Sequence, residues 1–155
     1  MNAIYGQQLP VANQPARDGY TFGGYYTKKN GSGKQYYDEN MVPSTADFTE
    51  AATLYAKWTA KTYQIVYMQD VNTVAARQNV TYGTTPTIMG KDSQGMSLTV
   101  PDGYKLAGWA TSETGKVVYK ASDKPGNLWN DGNAVVLYAV FKKDVTYTVK
   151  YEKNG

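Results

Sequence analysis

Residues 18–25 have the sequence Asp18-Gly19-Tyr20-Thr21-Phe22-Gly23-Gly24-Tyr25, and 84 positions later the chain repeats the pattern as Asp102-Gly103-Tyr104-Lys105-Leu106-Ala107-Gly108-Trp109. Each copy opens with an Asp-Gly dipeptide, which is typical of a tight turn because Gly tolerates the positive φ that such turns need. The aromatic and aliphatic residues that follow favour a β-strand. The chain therefore contains an internal repeat in which a strand follows directly after a turn.

Three further blocks recur in the same order with spacers of variable length, as expected of repeats with variable loops. In one of them Tyr63, Ile65 and Tyr67 alternate with other residues, which is the period of two of a β-strand. Helical signal is scarce, and its best candidate is the segment 44–52, where Ser44 would cap the first turn. We therefore expect a mainly β (α+β) fold with at most one short helix per repeat. The recurring blocks are Leu54–Trp58 with Leu137–Phe141, Thr62–Tyr67 with Thr146–Tyr151, and Ile4–Gly6 with Thr81–Gly83.

The composition excludes several classes of function. Neither cysteine nor histidine occurs, which excludes thiol chemistry, His-based triads and zinc sites built from these ligands. The acidic residues are scattered beside turn residues and nothing pairs them, so we expect no enzyme, no metal site and no cofactor. A net charge of +3 is too mild to predict nucleic-acid binding. No stretch approaches the length of a membrane-spanning helix.

Tyrosine dominates the aromatic residues, with 15 Tyr against 3 Phe and 3 Trp. A tyrosine combines a large apolar ring with a polar tip, which suits thin domains where few positions are fully buried. The apolar residues are spread over many short segments, so we expect small structural units.

The blocks together resemble the Listeria–Bacteroides repeat, also called the internalin B-repeat family. Two departures from the family pattern are Tyr25, which replaces the usual Trp, and an insertion from Asp92 to Thr99. The resemblance implies a β-grasp-like (ubiquitin-like) fold, an extracellular place at the bacterial cell surface or cell wall, and spacer or adhesive repeats without catalytic residues. The matching residues are Tyr5-Gly6, Gly19–Tyr25 and Leu54–Trp58 in the first copy, and Tyr82-Gly83, Gly103–Trp109 and Leu137–Phe141 in the second.

Two arrangements of the repeat units are open. By the family pattern, the first copy lacks its opening strand, and residues 147–151 open a third copy that could pair with the first copy of another molecule. In a permuted arrangement each unit closes with its own Tyr-x-x-x-Tyr strand, which gives two complete units at 1–70 and 71–155. We favour the permuted pair. Deleting the residues from Val145 onward would then destabilise the second unit without changing the oligomeric state.

Aromatic residues are the first candidates for contact with a ligand. Adjacent strand residues point to opposite sides, so one ring of Tyr25-Tyr26 and one of Tyr36-Tyr37 should face outward, and we select Tyr26 and Tyr37. The structural alternative is that these rings cover a thin core. Trp129 lies in a variable insert, and loops carry function more often than repeated blocks do.

Lysines at a hairpin tip are the second candidates. Lys28 and Lys29 precede Asn30-Gly31, a tight-turn dipeptide. They could bind an anionic glycan or wall polymer, although lysines at such positions more often solubilise the protein or protect a strand edge.

These observations predict a structural and adhesive repeat module of a bacterial cell-surface protein, acting as a stalk spacer with weak adhesion. The expected partners are neighbouring repeats of the same protein and, secondarily, a host glycan or host surface protein, with weak self-association as a further hypothesis. Nucleic acid is not expected as a partner, nor is a membrane span in this chain. The alternative is a dedicated binding module for a host glycan or protein.

Overall fold

The computed structural model describes residues 2–153, which form seven β-strands and one short 3-10 turn at Lys29–Gly31. The predicted mainly β character is confirmed, with two small sheets. The β-grasp topology that the resemblance implies stays a prediction. The strands are β1 (Tyr20–Lys28), β2 (Ser32–Tyr37), β3 (Tyr55–Ala60), β4 (Thr62–Met68), β5 (Val74–Thr81), β6 (Tyr104–Ala110) and β7 (Val135–Lys143).

The described chain divides into two compact units. The first comprises residues 2–62 and 81–83, and the second comprises residues 63–80 and 84–153. Strand β4 falls in the second unit because it pairs in parallel with β7, from Ile65 opposite Val135 to Met68 opposite Tyr138. The permuted arrangement assigns β4 to the first unit and so does not match this pairing. Independent folding of residues 1–70 and 71–155 stays a prediction.

The first unit contains a three-stranded antiparallel sheet in the order β2-β1-β3. Strands β1 and β2 form a hairpin whose turn holds Asn30 at φ 61° and Gly31 at φ 71°. Both values are positive, as the Asn-Gly dipeptide predicts for this kind of turn. A core of buried side chains packs against the sheet and consists of Leu9, Phe22, Tyr36, Tyr37, Met41 and Ala46.

The second unit contains a four-stranded mixed sheet in the order β5-β4-β7-β6. The predicted alternation of β4 is confirmed, since Tyr63, Ile65 and Tyr67 are all buried. Val66 on the opposite face is also buried, so this central strand is covered on both sides. The core cluster consists of Tyr63, Ile65, Tyr67, Ala76, Val80, Ile88, Trp109 and Leu137.

In both units, the strand that follows the repeated Asp-Gly turn has a shift in its pairing register at an equivalent glycine. The register shifts within Phe22–Tyr25 of β1 and within Leu106–Gly108 of β6. Gly24 has a φ of +104° and Gly108 a φ of +152°, and a Cβ at either position would lie closer than 3.0 Å to a backbone carbonyl oxygen of a neighbouring segment. The motif therefore needs glycine here because a second piece of backbone approaches a β-bulge.

The helix predicted over residues 44–52 is absent, and that prediction was wrong. The segment is extended instead: the Leu9 amide donates to the Ser44 carbonyl at 3.0 Å, and the Ala46 amide donates to the Gln7 carbonyl at 2.7 Å. Asp47 does not serve a helix terminus but accepts hydrogen bonds from the Lys34 ammonium and the Tyr36 hydroxyl. Tertiary pairing has overridden a local capping signal, which is only a weak preference.

Acid should destabilise the first unit through Asp47. The hydrogen bonds donated by Lys34 and then by Tyr36 lower the pKa of the Asp47 carboxyl in the folded protein. A group with a lowered folded pKa stabilises the fold above its unfolded pKa of about 4, and this stabilisation is lost as the pH falls through the folded pKa. Between neutral pH and about pH 2 we expect the wild type to lose more unfolding free energy than Asp47→Asn.

Urea unfolding at a series of pH values measures this difference. The Asp47 side chain is 49% exposed, so solvent screening keeps the effect small. Parallel losses of unfolding free energy in the two proteins would contradict the role of this carboxyl.

Candidate functional site

One face of the first sheet carries two tyrosines and two lysines. Tyr26 of β1 and Tyr55 of β3 are cross-strand partners, so their side chains lie on the same face. Lys57 follows Tyr55 by two residues and shares that face, with its Nζ 5.9 Å from the centroid of the Tyr26 ring. The Nζ of Lys29 lies 6.0 Å from the centroid of the Tyr55 ring. We call Tyr26, Lys29, Tyr55 and Lys57 the Tyr–Lys face.

Glycines and the hairpin turn position this face. The stem of Lys57 runs over Gly23 and Gly31, where a Cβ would touch it. The Tyr26 hydroxyl donates to the Gly23 carbonyl at 3.3 Å, which holds the ring along the strand. The two rings and Lys57 are partly exposed, and Lys29 is exposed.

The chemistry of the Tyr–Lys face suits an anionic and partly apolar ligand. A tyrosine ring offers a flat surface on which a sugar ring can stack, and its hydroxyl offers a hydrogen bond. The lysine ammonium groups add positive charge, and they lie near the rings because cations are attracted to the face of an aromatic ring. A saccharide that carries a carboxylate or sulfate would match both features.

The predicted lysine pair lies where the sequence indicates. Lys28 ends β1 opposite Ser32, and Lys29 begins the turn. Both side chains are exposed. Lys29 belongs to the Tyr–Lys face. Lys28 is not part of this face, because the described cation–ring contacts on it are made by Lys29 and Lys57.

Tyr37 does not face outward, and the expectation that one ring of Tyr36-Tyr37 does so was wrong. Tyr37 is only 3% exposed, and its hydroxyl donates to the Pro10 carbonyl at 2.8 Å. Tyr36 on the opposite side is 4% exposed and stacks on Phe48 with ring centroids 4.3 Å apart. Both faces of the end of β2 are covered, so alternation exposes neither ring.

Trp129 lies at the margin of the second core. It is half-buried and packs edge-on against Tyr63, with ring centroids 6.0 Å apart. The Leu128 amide donates to the Tyr63 hydroxyl at 3.2 Å, and the Trp129 amide donates to the Asn127 side-chain carbonyl at 3.2 Å. The insert is therefore fastened to the core, and only part of the indole is available to a ligand.

Sequence reasoning did not select Tyr55 and Lys57 as ligand contacts, because both lie in a repeated block that reads as core. The signal that could have found them is their alternation: Ala56 and Trp58 pack against the core, so Tyr55 and Lys57 must point to the other face. Among residues 2–153 no cluster of three or more acidic side chains could hold a metal ion. Within the same residues, no helix is long and apolar enough to cross a membrane.

Comparison with known proteins relates the chain to bacterial proteins that are much longer. It is 29% identical over 159 aligned positions to a protein described as a Gly-rich membrane protein from Evansella cellulosilytica, covering 97% of this chain and 17% of that protein. It is 30% identical over 133 positions to Internalin H of Listeria monocytogenes, covering 84% of this chain and 20% of that protein. The chain thus spans about a fifth of the length of these relatives. No solved structure matches it significantly.

The family comparison agrees with the repeat found in the sequence and in the two units. The pattern of the Listeria-Bacteroides repeat domain matches residues 1–57 and again residues 63–140. The gap between the two matches covers residues 58–62, and the second match begins at Tyr63, the residue at which the second unit begins. The chain belongs to the Listeria-Bacteroides repeat domain family and carries two copies of the repeat.

Proposed function

We propose that the chain acts as a spacer in the stalk of a bacterial cell-surface protein and adds weak adhesive contacts. The observation that carries the proposal is the tandem repeat: two units share one block pattern, and each has its own hydrophobic core. Repeats of this kind add length by adding units. The much greater length of Internalin H and the Evansella protein supports a place within a longer chain.

A glycan and host-protein array tests the spacer role against binding. A spacer should give no dose-dependent signal on mucin or arabinogalactan, while weak adhesion should appear only when many copies are displayed together, because avidity multiplies weak contacts. A saturable signal from the monomeric chain at micromolar concentration would contradict the spacer role.

A dedicated binding module is the second candidate, and the Tyr–Lys face favours it. Its rings and ammonium groups lie together at the surface of one sheet. If it binds a carboxylated or sulfated glycan, Lys29→Ala should weaken the signal about threefold to tenfold, and added salt should weaken it further. Lys124→Ala removes an exposed lysine from the second unit and is the matched control.

Trp129→Ala separates the two candidate contacts. Loss of the array signal in Trp129→Ala, but not in Lys29→Ala, would place the binding surface on the insert of the second unit. Loss only in Lys29→Ala would place it on the Tyr–Lys face. An unchanged signal in both variants would exclude both surfaces.

A further inference from the structure

A cavity in the first unit lies at the end of the sheet where Tyr20 of β1 pairs with Ala60 of β3. Its volume is about 490 Å³, which is within the range of small-ligand pockets in proteins. Its walls come from the segment before β1, from the start of β1 and from the end of β3, all within the first unit. The lining residues that decide its chemistry are Arg17, Asp18, Tyr20, Phe22, Trp58 and Lys61.

Aromatic side chains form the apolar part of the cavity. Phe22 is 5% exposed and meets Trp58 edge-on, with ring centroids 5.5 Å apart. Trp58 and Tyr20 are half-buried, so part of each ring is accessible. Tyr82 meets the Tyr20 ring edge-on at a centroid distance of 5.3 Å and packs over Gly19, where a Cβ would collide with the Tyr82 ring. The rings are therefore held in place before a ligand arrives, which lowers the cost of binding.

Two cations lie at the rim of the cavity. The guanidinium carbon of Arg17 lies over the Tyr20 ring, 3.9 Å from its centroid. A guanidinium in this position keeps N–H donors for a carboxylate, which it can bind in bidentate fashion. Both Arg17 and Lys61 are exposed, and within residues 2–153 neither forms an ion pair. With Asp18, the rim carries two positive charges against one negative charge.

The second copy of the repeat carries different side chains at the equivalent positions, where the indole is replaced by a smaller ring and neither cation is present. There Asp144 pairs with Lys105, its carboxylate oxygen 2.5 Å from the ammonium nitrogen. Because the equivalent strands β6 and β7 form without an indole or these cations, the fold does not require them in the first unit. Differences of this kind are how a site is built on a shared framework. The corresponding pairs are Trp58 with Phe141, Arg17 with Pro101, and Lys61 with Asp144.

We propose that this cavity binds a uronic acid residue of an anionic oligosaccharide. The inference rests on the proposed function, because it names the ligand class for the weak adhesion. The C–H face of the sugar ring packs on the Trp58 indole beside Tyr20, since aromatic rings offer flat apolar surfaces. The carboxylate of the sugar projects from the edge of its ring to the Arg17 guanidinium, and Lys61 adds a second positive charge. An acidic peptide would match the cations but has no flat ring to cover the indole.

The cavity is distinct from the Tyr–Lys face. Trp58 packs against the core of the first unit, whereas Lys57, the preceding residue of the same strand, points to the other side of the sheet. The two surfaces can therefore be tested separately by substitution.

A nuclear magnetic resonance titration of the full chain with tetragalacturonate tests this site, with the fully methyl-esterified tetrasaccharide as the neutral probe. We expect the Trp58 indole N–H to shift while those of the other two tryptophans do not. The dissociation constant should be about 0.1–10 mM, because one sugar residue makes few contacts. Arg17→Gln should raise it about tenfold, since a bidentate charged pair is lost. Arg77→Gln removes the other arginine of the chain, from an exposed position in the second unit, and is the matched control.

Trp58→Phe tests the sugar-stacking surface separately from the charge. It introduces the side chain that the second unit has at the equivalent position, so the fold should be preserved. We expect this variant to bind tetragalacturonate about threefold more weakly, because the indole offers the larger ring surface.

Several outcomes would overturn the site. They are unchanged affinity in Arg17→Gln, equal binding of the methyl ester, and equal binding of tetraglutamate, which would indicate an acidic peptide as the ligand. Binding that is lost in Lys29→Ala but not in Arg17→Gln would place the sugar on the Tyr–Lys face and also contradict the cavity. If no probe bound, the cavity would be excluded as a uronate site while the spacer role, which the array tests, would stand.

Discussion

Trp109→Ala should remove most of the stability of the second unit. The Trp109 side chain is 0% exposed, lies edge-on against Tyr67, and donates its indole N–H to the Met89 carbonyl at 2.8 Å. Replacing a buried tryptophan by alanine costs about 3–5 kcal/mol, because burial is lost and a cavity remains. Whole domains are stable by only about 5–15 kcal/mol, so a unit of this size should be largely unfolded in mild denaturant.

Urea unfolding, with hydrogen exchange to assign each transition to a unit, measures this loss. Trp58→Ala is the matched control, because it deletes the same side chain from a half-buried position in the first unit. We expect Trp58→Ala to cost roughly half as much and to affect the first unit. Equal costs in the two variants would show that the partial exposure of Trp58 does not reduce its contribution to the stability of the first core.

The repeat made the strands and turns predictable, since both depend on local sequence. The alternation of Tyr63, Ile65 and Tyr67 and the Asn30-Gly31 turn needed no knowledge of the rest of the chain. The unit to which a strand belongs could not be predicted in the same way, because strand pairing joins residues that are far apart in sequence. Nothing within residues 62–68 indicates that their parallel partner begins near Val135 rather than in the first unit.

The side chains that point outward from a strand could be predicted only where one side of the strand is exposed to solvent. At Tyr26 the alternation holds, and the ring contributes to an accessible face. At Tyr36 and Tyr37 it fails, because one ring meets Phe48 and the other meets Pro10. The segments that contain Phe48 and Pro10 are irregular, so no periodic sequence pattern predicts that they cover these rings. The same limit explains why the prediction of a helix over residues 44–52 was wrong. Hydrogen bonds that join Ser44 and Ala46 to residues far away in sequence outweighed the local capping signal.

Gly108→Ala should destabilise the second unit by a different route, through a clash rather than a cavity. Gly108 has a φ of +152°, and a Cβ there would lie closer than 3.0 Å to the Tyr119 carbonyl oxygen and to a methyl group of Val117. The adjacent Trp109 amide donates to the same carbonyl at 2.8 Å, so the two segments cannot separate without breaking a hydrogen bond. Backbone strain and overpacking together should cost about 3 kcal/mol or more.

Gly103→Ala shows how much of this cost comes from backbone conformation alone. Gly103 also has a positive φ, +74°, but nothing lies within 4 Å of the position its Cβ would take. We expect Gly103→Ala to lower the unfolding free energy by about 1 kcal/mol, and the excess cost of Gly108→Ala then measures the close approach of the segment that contains Val117 and Tyr119. Gly24→Ala should show a similar excess in the first unit, because its Cβ would meet the Tyr37 carbonyl in the same way. If Gly108→Ala and Gly103→Ala cost the same, the neighbouring segment must yield easily, and the glycine of the repeat would be needed for its φ rather than for its missing side chain.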